Sequence, residues 1–196
     1  ITGQQFEYNK LNSLLVVNDN VVIKDNLNNN LIKTEKITFN KISNIINTNN
    51  KTIIELDSGY LIESSSLIYD RNLNVITSDN KTFVTDPYEN KLTMRAFQYS
   101  TINRMLSAQD VEIIDIEKNY YNIKNIKYDF INNEIIGQDL SLEFNSGNIK
   151  TDQNQPRLKG NTIFYKKDTT QVKQGVFTTC KKDDDSSTSP KSNNQV

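Results

Sequence analysis

Apolar and polar positions alternate at period two through much of this chain, as in Phe6-Glu7-Tyr8 and Leu140-Ser141-Leu142-Glu143-Phe144. Such alternation predicts strands with one face in a core and the other in water. Between the alternating runs lie polar clusters: Asn18-Asp19-Asn20, Asn49-Asn50, Asp79-Asn80, Asn132-Asn133 and Ser146-Gly147-Asn148. Asn and Asp tolerate left-handed backbone and cap tight turns, so these clusters predict the turns between strands. With three prolines and six glycines in the chain, the strands are rarely interrupted.

The pattern also repeats. Residues 67–84, LIYDRNLNVITSDNKTFV, restate residues 37–54, ITFNKISNIINTNNKTII. An apolar-x-aromatic triplet recurs as Phe6-Glu7-Tyr8, Ile37-Thr38-Phe39, Leu67-Ile68-Tyr69, Phe97-Gln98-Tyr99, Ile126-Lys127-Tyr128 and Ile163-Phe164-Tyr165. Its aromatics are separated by 31, 30, 30, 29 and 37 residues. A second anchor keeps the same period: Val21-Val22-Ile23, Lys51-Thr52-Ile53, Lys81-Thr82-Phe83, Val111-Glu112-Ile113, Leu140-Ser141-Leu142 and Val176-Phe177-Thr178. A unit this short cannot bury its own apolar face, so neighbours must stack and share one core. The expectation is an all-β fold, a twisted jelly roll of stacked antiparallel strands in two facing sheets with open ends. Phe6, Tyr8, Phe39, Leu67, Tyr69, Phe83, Phe97, Tyr99 and Tyr128 are expected to point inward, either as plain core or as the lining of an apolar groove.

Composition narrows the function. Lys+Arg 23 against Asp+Glu 24 gives a net charge of −1, which lacks the basic footprint of a nucleic-acid binder. No apolar run approaches the ~20 residues of a membrane helix. The chain has no His, the commonest general base and metal ligand at neutral pH, and no Ser, Cys, Lys or carboxylate pairing resembles an activated nucleophile. Catalysis and cofactor binding are therefore not expected. Asp183-Asp184-Asp185 lacks the interleaved ligands and glycine of a calcium loop and reads as a solvated charge run. Asn50-Lys51-Thr52 and Asn80-Lys81-Thr82 match the glycosylation pattern, but their equivalent repeat positions are explained by turn chemistry. Cys180, the single cysteine, has no intrachain partner and is either free or paired with another chain or segment.

The repeated unit resembles the OstA-like repeat of lipopolysaccharide transport proteins. There the triplet strand is followed by a turn and an Asn-Val-x-Ile strand, matched by Asn20-Val21-Val22-Ile23 and Asp110-Val111-Glu112-Ile113. The stretch 156–182 is similar to the segment that ends the periplasmic domain of the family's outer-membrane assembly members. Gly175-Val176-Phe177-Thr178-Thr179-Cys180 stands where those proteins enter an outer-membrane barrel. The resemblance implies an OstA-like periplasmic domain over residues 1–182, at the periplasmic face of the outer membrane of a Gram-negative bacterium. It implies a passive groove for lipopolysaccharide acyl chains, with the inward residues above as lipid-binding residues. It implies a disulfide from Cys180 to a partner outside this chain. The implied partners are an LptA-like protein at the N-terminal edge strand, and an outer-membrane barrel with an LptE-like lipoprotein. The chain departs from the family after Cys180: residues 183–196 carry no Trp and no alternation, so a disordered tail is expected and no barrel follows in this chain. A soluble LptA-like bridge and a non-lipid structural β-solenoid remain as alternative readings.

Overall fold

The computed structural model describes residues 1–25, 29–145, 154–166 and 169–180. The expected tail over 183–196, with Asp183-Asp184-Asp185, and the domain boundary at 182 lie outside the described residues. All regular secondary structure described is β, in 17 strands. The chain opens with β1 (Gln5–Asn9), β2 (Leu14–Asp25) and β3 (Asn30–Asn40). Shorter strands follow: β4 (Ile45–Thr48), β5 (Lys51–Glu55), β6 (Leu61–Ser65), β7 (Ile68–Asp70), β8 (Val75–Ser78), β9 (Thr82–Thr85), β10 (Lys91–Met94) and β11 (Ala96–Ser100). Long strands return as β12 (Met105–Ile114), β13 (Tyr120–Asp129), β14 (Glu134–Glu143) and β15 (Arg157–Lys166). The short strands β16 (Thr169–Lys173) and β17 (Val176–Thr178) finish the chain.

The antiparallel pairings sort these strands into two layers. The C-terminal half of β3 pairs with β4, and pairing continues through β7, β8 and β11 to the N-terminal half of β12. The N-terminal half of β3 pairs with β5, then β6, β9 and β10, and returns to the C-terminal half of β12. Each long strand therefore crosses a corner and serves both layers. One core cluster joins Leu67, Ile76 and Phe97 of the first layer with Ile54, Val84 and Met94 of the second, so the layers face each other. This is the expected twisted jelly roll.

First-layer turns share one design. Each strand ends on a residue whose side chain caps the turn: Asn40 accepts from the Ile42 and Ser43 amides, Asp70 from Asn72 and Leu73, and Asp129 from Ile131 and Asn132. Each turn then closes on a left-handed residue, Ser13, Asn44, Asn74, Arg104 or Asn133. A left-handed residue costs little for Asn, which explains its frequency at these positions. Successive turns are tied by the Lys41 amide to the Ser13 carbonyl, Arg71 to Asn44, Thr101 to Asn74 and Phe130 to Arg104. Second-layer turns achieve the same link with asparagine side chains: the Asn30, Asn90 and Asn119 carbonyls accept from the Asp57, Ile116 and Asn145 amides. The first-layer rim is therefore a hydrogen-bonded ridge from turn 10–13 to turn 130–133. On the second-layer rim Tyr60 interrupts the asparagine series between turns 56–60 and 86–90.

Candidate functional site

Cross-strand register lines up one inward row in each layer. In the first it runs Tyr8, Leu15, Phe39, Ile46, Tyr69, Ile76, Tyr99, Leu106, Tyr128, Ile135, Tyr165, each opposite the next. In the second it runs Ile23, Ile32, Ile54, Ile62, Val84, Leu92, Ile113, Tyr121, Leu142, Leu158, Phe177. Most of these side chains are only half-buried. Deeper rows lie at the corners where the layers meet, and there Val17, Ile37, Val111, Thr52 and Thr82 are fully buried. In cross-section a fully buried corner gives way to an apolar, half-buried mouth.

The triplets identified in the sequence supply the first-layer rows. Phe39, Tyr69, Tyr99 and Tyr128 are half-buried on the mouth row, while Leu67 and Phe97 lie in the buried core next to the corner. Phe6 and Tyr8 oppose Val17 and Leu15, but β1 ends the stack and leaves them 55% and 52% exposed. Phe83 does not line the interior. It opposes Glu63 and Thr93 on the outer face and is 47% exposed, while Thr82 and Val84 on either side of it are buried. The ladder fixes this face, because a one-residue shift in register exchanges the two faces of a strand. Its exposed ring is partly compensated by the Lys81 ammonium, 5.4 Å from the ring centroid.

Three mouth residues escaped the sequence reading. Phe130 follows Tyr128 at the next inward position and packs tilted against it at 4.1 Å. It meets Tyr99 edge-on at 5.9 Å and Tyr60 of the opposite rim at 5.5 Å. This aromatic contact bridges the mouth. Burial, with the Tyr128 hydroxyl beside it, pushes the Tyr60 hydroxyl well above its ordinary range. Arg71, at the turn position equivalent to Phe130, lies over the Phe39 ring at 5.6 Å and donates to Asn44 Oδ1 at 3.1 Å. Phe130 was legible as an extension of the 126–128 alternation. Tyr60 carried no signal until the turns were aligned, since it takes the place that Asn30, Asn90 and Asn119 hold in other repeats.

On the second-layer rim, Asp86 accepts from the Asn90 amide and side chain, and Asp115 does the same with Asn119. Tyr121 donates to Asp115 Oδ2 at 3.0 Å, and its hydroxyl is pushed up to about 12, by burial first and by that carboxylate second. A depression of about 410 Å³, lined by Asp139, Lys159, Asn161, Gln174 and neighbours, sits at the corner of β14 and β15 and includes none of the mouth rows.

The two ends of the stack differ. Among the described residues β1 pairs with β2 alone, and the Gln4 amide donates to the Asn18 and Asp19 carbonyls. Asn18 thus faces β1 and Ser13 faces β3, so antiparallel alternation pairs Gln5 and Glu7 with β2 and turns the Phe6 and Tyr8 amides to the open side. At the far end β16 and β17 both pair with β15, and Phe144 packs edge-on against Phe177 at 6.2 Å. Cys180 follows β17 with an exposed, free thiol, while its backbone carbonyl accepts from Arg157. In the comparisons with known proteins, neither a family model nor a curated protein matches this chain.

Proposed function

We propose that this chain is a passive lipid conduit of the OstA kind, an LptD-like periplasmic domain that carries lipopolysaccharide acyl chains between its two layers toward an outer-membrane barrel. The observation that supports this reading is the pair of half-buried apolar rows that continue from strand to strand to the open ends of the stack. Apolar contact is non-directional and contributes about 25 cal/mol per Å² buried, so a sliding chain is held without a fixed pose. In this reading the headgroup stays in water at the mouth. The open amides of β1 suit strand addition by an LptA-like partner, which would join two grooves end to end. The Tyr60–Phe130 bridge would then be a constriction that the acyl chains displace.

The test is photo-crosslinking in cells. With a photoreactive residue at Tyr69 or Tyr99, lipopolysaccharide adducts are expected. At Gln98 and Phe83, which face outward, none are expected, and Phe83 controls for mere apolarity. Equal labelling at both sets would favour the dry structural solenoid.

A further inference from the structure

We propose that Lys10, Lys41 and Arg71 form the seat of an anionic headgroup on the first-layer rim, which rests on the groove reading above. The three residues occupy one position in successive turns, each the next inward step beyond a mouth-row aromatic: Tyr8, Phe39 and Tyr69. Arg71 shows where that position leads, since its guanidinium lies over the Phe39 ring at the mouth. Phe130 at the same position also reaches into the mouth.

The charges along the mouth are segregated. First-layer turns 10–13, 41–44, 71–74, 101–104 and 130–133 carry Lys10, Lys41, Arg71 and Arg104 and no acid. The nearest carboxylates are the strand-end caps Asp70 and Asp129, each engaged by turn amides. Second-layer turns 56–60, 86–90 and 115–119 carry Asp57, Asp86, Glu89, Asp115 and Glu117 against Lys118 alone. An anionic head is thus attracted to one rim and repelled by the other. Among the described residues, the ion pairs engage neither Lys10 nor Lys41 nor Arg71, and the contacts of Arg71 are with neutral groups, so these charges are not spent within the protein. The hydrogen-bonded turns hold them in a row. Successive turns are two strands apart, about 9.5 Å, so two charges at that separation on one headgroup meet neighbouring cations. Cation above, apolar row below: the ligand class that fits is an amphiphile with a phosphate or carboxylate head.

Calorimetric titration at low salt, below micellar concentrations, tests this with dodecyl phosphate, dodecyl maltoside and inorganic phosphate. The intact chain is expected to bind dodecyl phosphate at least about tenfold more tightly than dodecyl maltoside, and inorganic phosphate weakly. A Lys10→Gln/Lys41→Gln/Arg71→Gln variant is expected to lose that preference while keeping its affinity for dodecyl maltoside. Lys118→Gln on the opposite rim should change neither. If both amphiphiles bind alike, or the triple variant keeps the preference, the headgroup seat is overturned and the groove stands. If neither amphiphile binds, the groove reading falls and the seat falls with it. Inorganic phosphate binding as tightly as dodecyl phosphate would mark a free-anion site and overturn the amphiphile assignment.

Discussion

The corner between the layers is built in two ways. In the middle of the stack the chain breaks at the corner, between β4 and β5, β6 and β7, β8 and β9, and β10 and β11. Toward the C-terminus, β12, β13, β14 and β15 run through it unbroken. At three of the four breaks buried hydroxyls line the vertex, Thr48, Thr52, Ser64, Ser78 and Thr82, with Thr34 facing them from the unbroken β3, while Met94 and Phe97 line the β10–β11 break. Where it runs through, the vertex is apolar, with Ala108, Val111, Ile123, Ile126 and Leu140. The difference follows from backbone accounting, because a buried peptide group without a partner costs free energy. Breaking the ladder frees carbonyls and amides; at the first three breaks hydroxyls take them up, and at β10–β11 the Arg95 amide goes to the Gln109 carbonyl. Thr34 donates to the Lys51 carbonyl, Thr52 to Asn50, Thr82 to Asn80 and Ser78 to Ser65, while Thr48 accepts from the Leu67 amide. The hydroxyls also bond one another, Thr52 to Thr34 at 3.1 Å and Ser64 with Thr82 at 2.7 Å.

In the unbroken corner only one position per strand drops out of the ladder: Asp110, Lys124, Asp139 and Asn161. Asp110 and Asp139 adopt left-handed backbone there. The polar side chains of this corner point outward, with Asp110 bonded to Lys124 and Arg95, and Asn161 to Gln174. Close packing inside then demands small residues. A Cβ on Gly137 would lie 2.6 Å from Ile163 Cγ2, and one on Gly160 would lie 2.1 Å from Val172 Cγ1. Glycine here serves close approach rather than turn geometry.

The largest expected effect comes from emptying the apolar corner. Leu140→Ala should lose about 2–5 kcal/mol in denaturant unfolding, from lost transfer energy plus a cavity. A loss under ~1 kcal/mol would mean that this vertex is not the packed core it is taken to be. A reciprocal exchange sharpens the comparison. Thr82→Val removes a donor from a hydroxyl network, and Val111→Thr buries a hydroxyl in an apolar vertex; each should cost about 1–3 kcal/mol. If Thr82→Val stabilises the fold, the hydroxyls are not needed to satisfy the broken corner.

The smallest effect concerns the outward side of the unbroken corner. The hydrogen bond from Lys124 first, with Arg95 nearby, holds the Asp110 carboxyl below its usual range. A carboxyl depressed in the fold contributes stability that is present above its unfolded pKa of about 3.9 and lost as pH falls through the folded value. Lys124→Gln should therefore flatten the acid limb of the stability curve slightly, and less so at about 1 M salt, where exposed pairs are screened. An acid limb identical with and without Lys124 would remove this pair from the account.

The sequence made the first-layer rows legible because apolar residue, spacer and aromatic keep one parity within a single strand. Ile37 and Phe39, Leu67 and Tyr69, and Ile126 and Tyr128 all point inward for that reason. The misassigned Phe83 shows where the reading stopped. Bulk favoured Phe83 over its neighbour as the inward residue, yet Thr82 is the one buried, because the broken corner needs its hydroxyl.

Sequence alone determined the period and the strand-and-turn rhythm. Only the tertiary structure decided how alternation passes each corner. Inward residues are four apart from Val17 to Val21, Thr48 to Thr52 and Ser78 to Thr82, so parity is kept there. They are three apart from Thr34 to Ile37, Ser64 to Leu67, Met94 to Phe97, Ala108 to Val111 and Ile123 to Ile126, where parity flips. Strand periodicity fixes faces only within a continuous ladder. The bend that joins two layers has its own length, set by which backbone groups must find partners, and that length decides which face continues into the core.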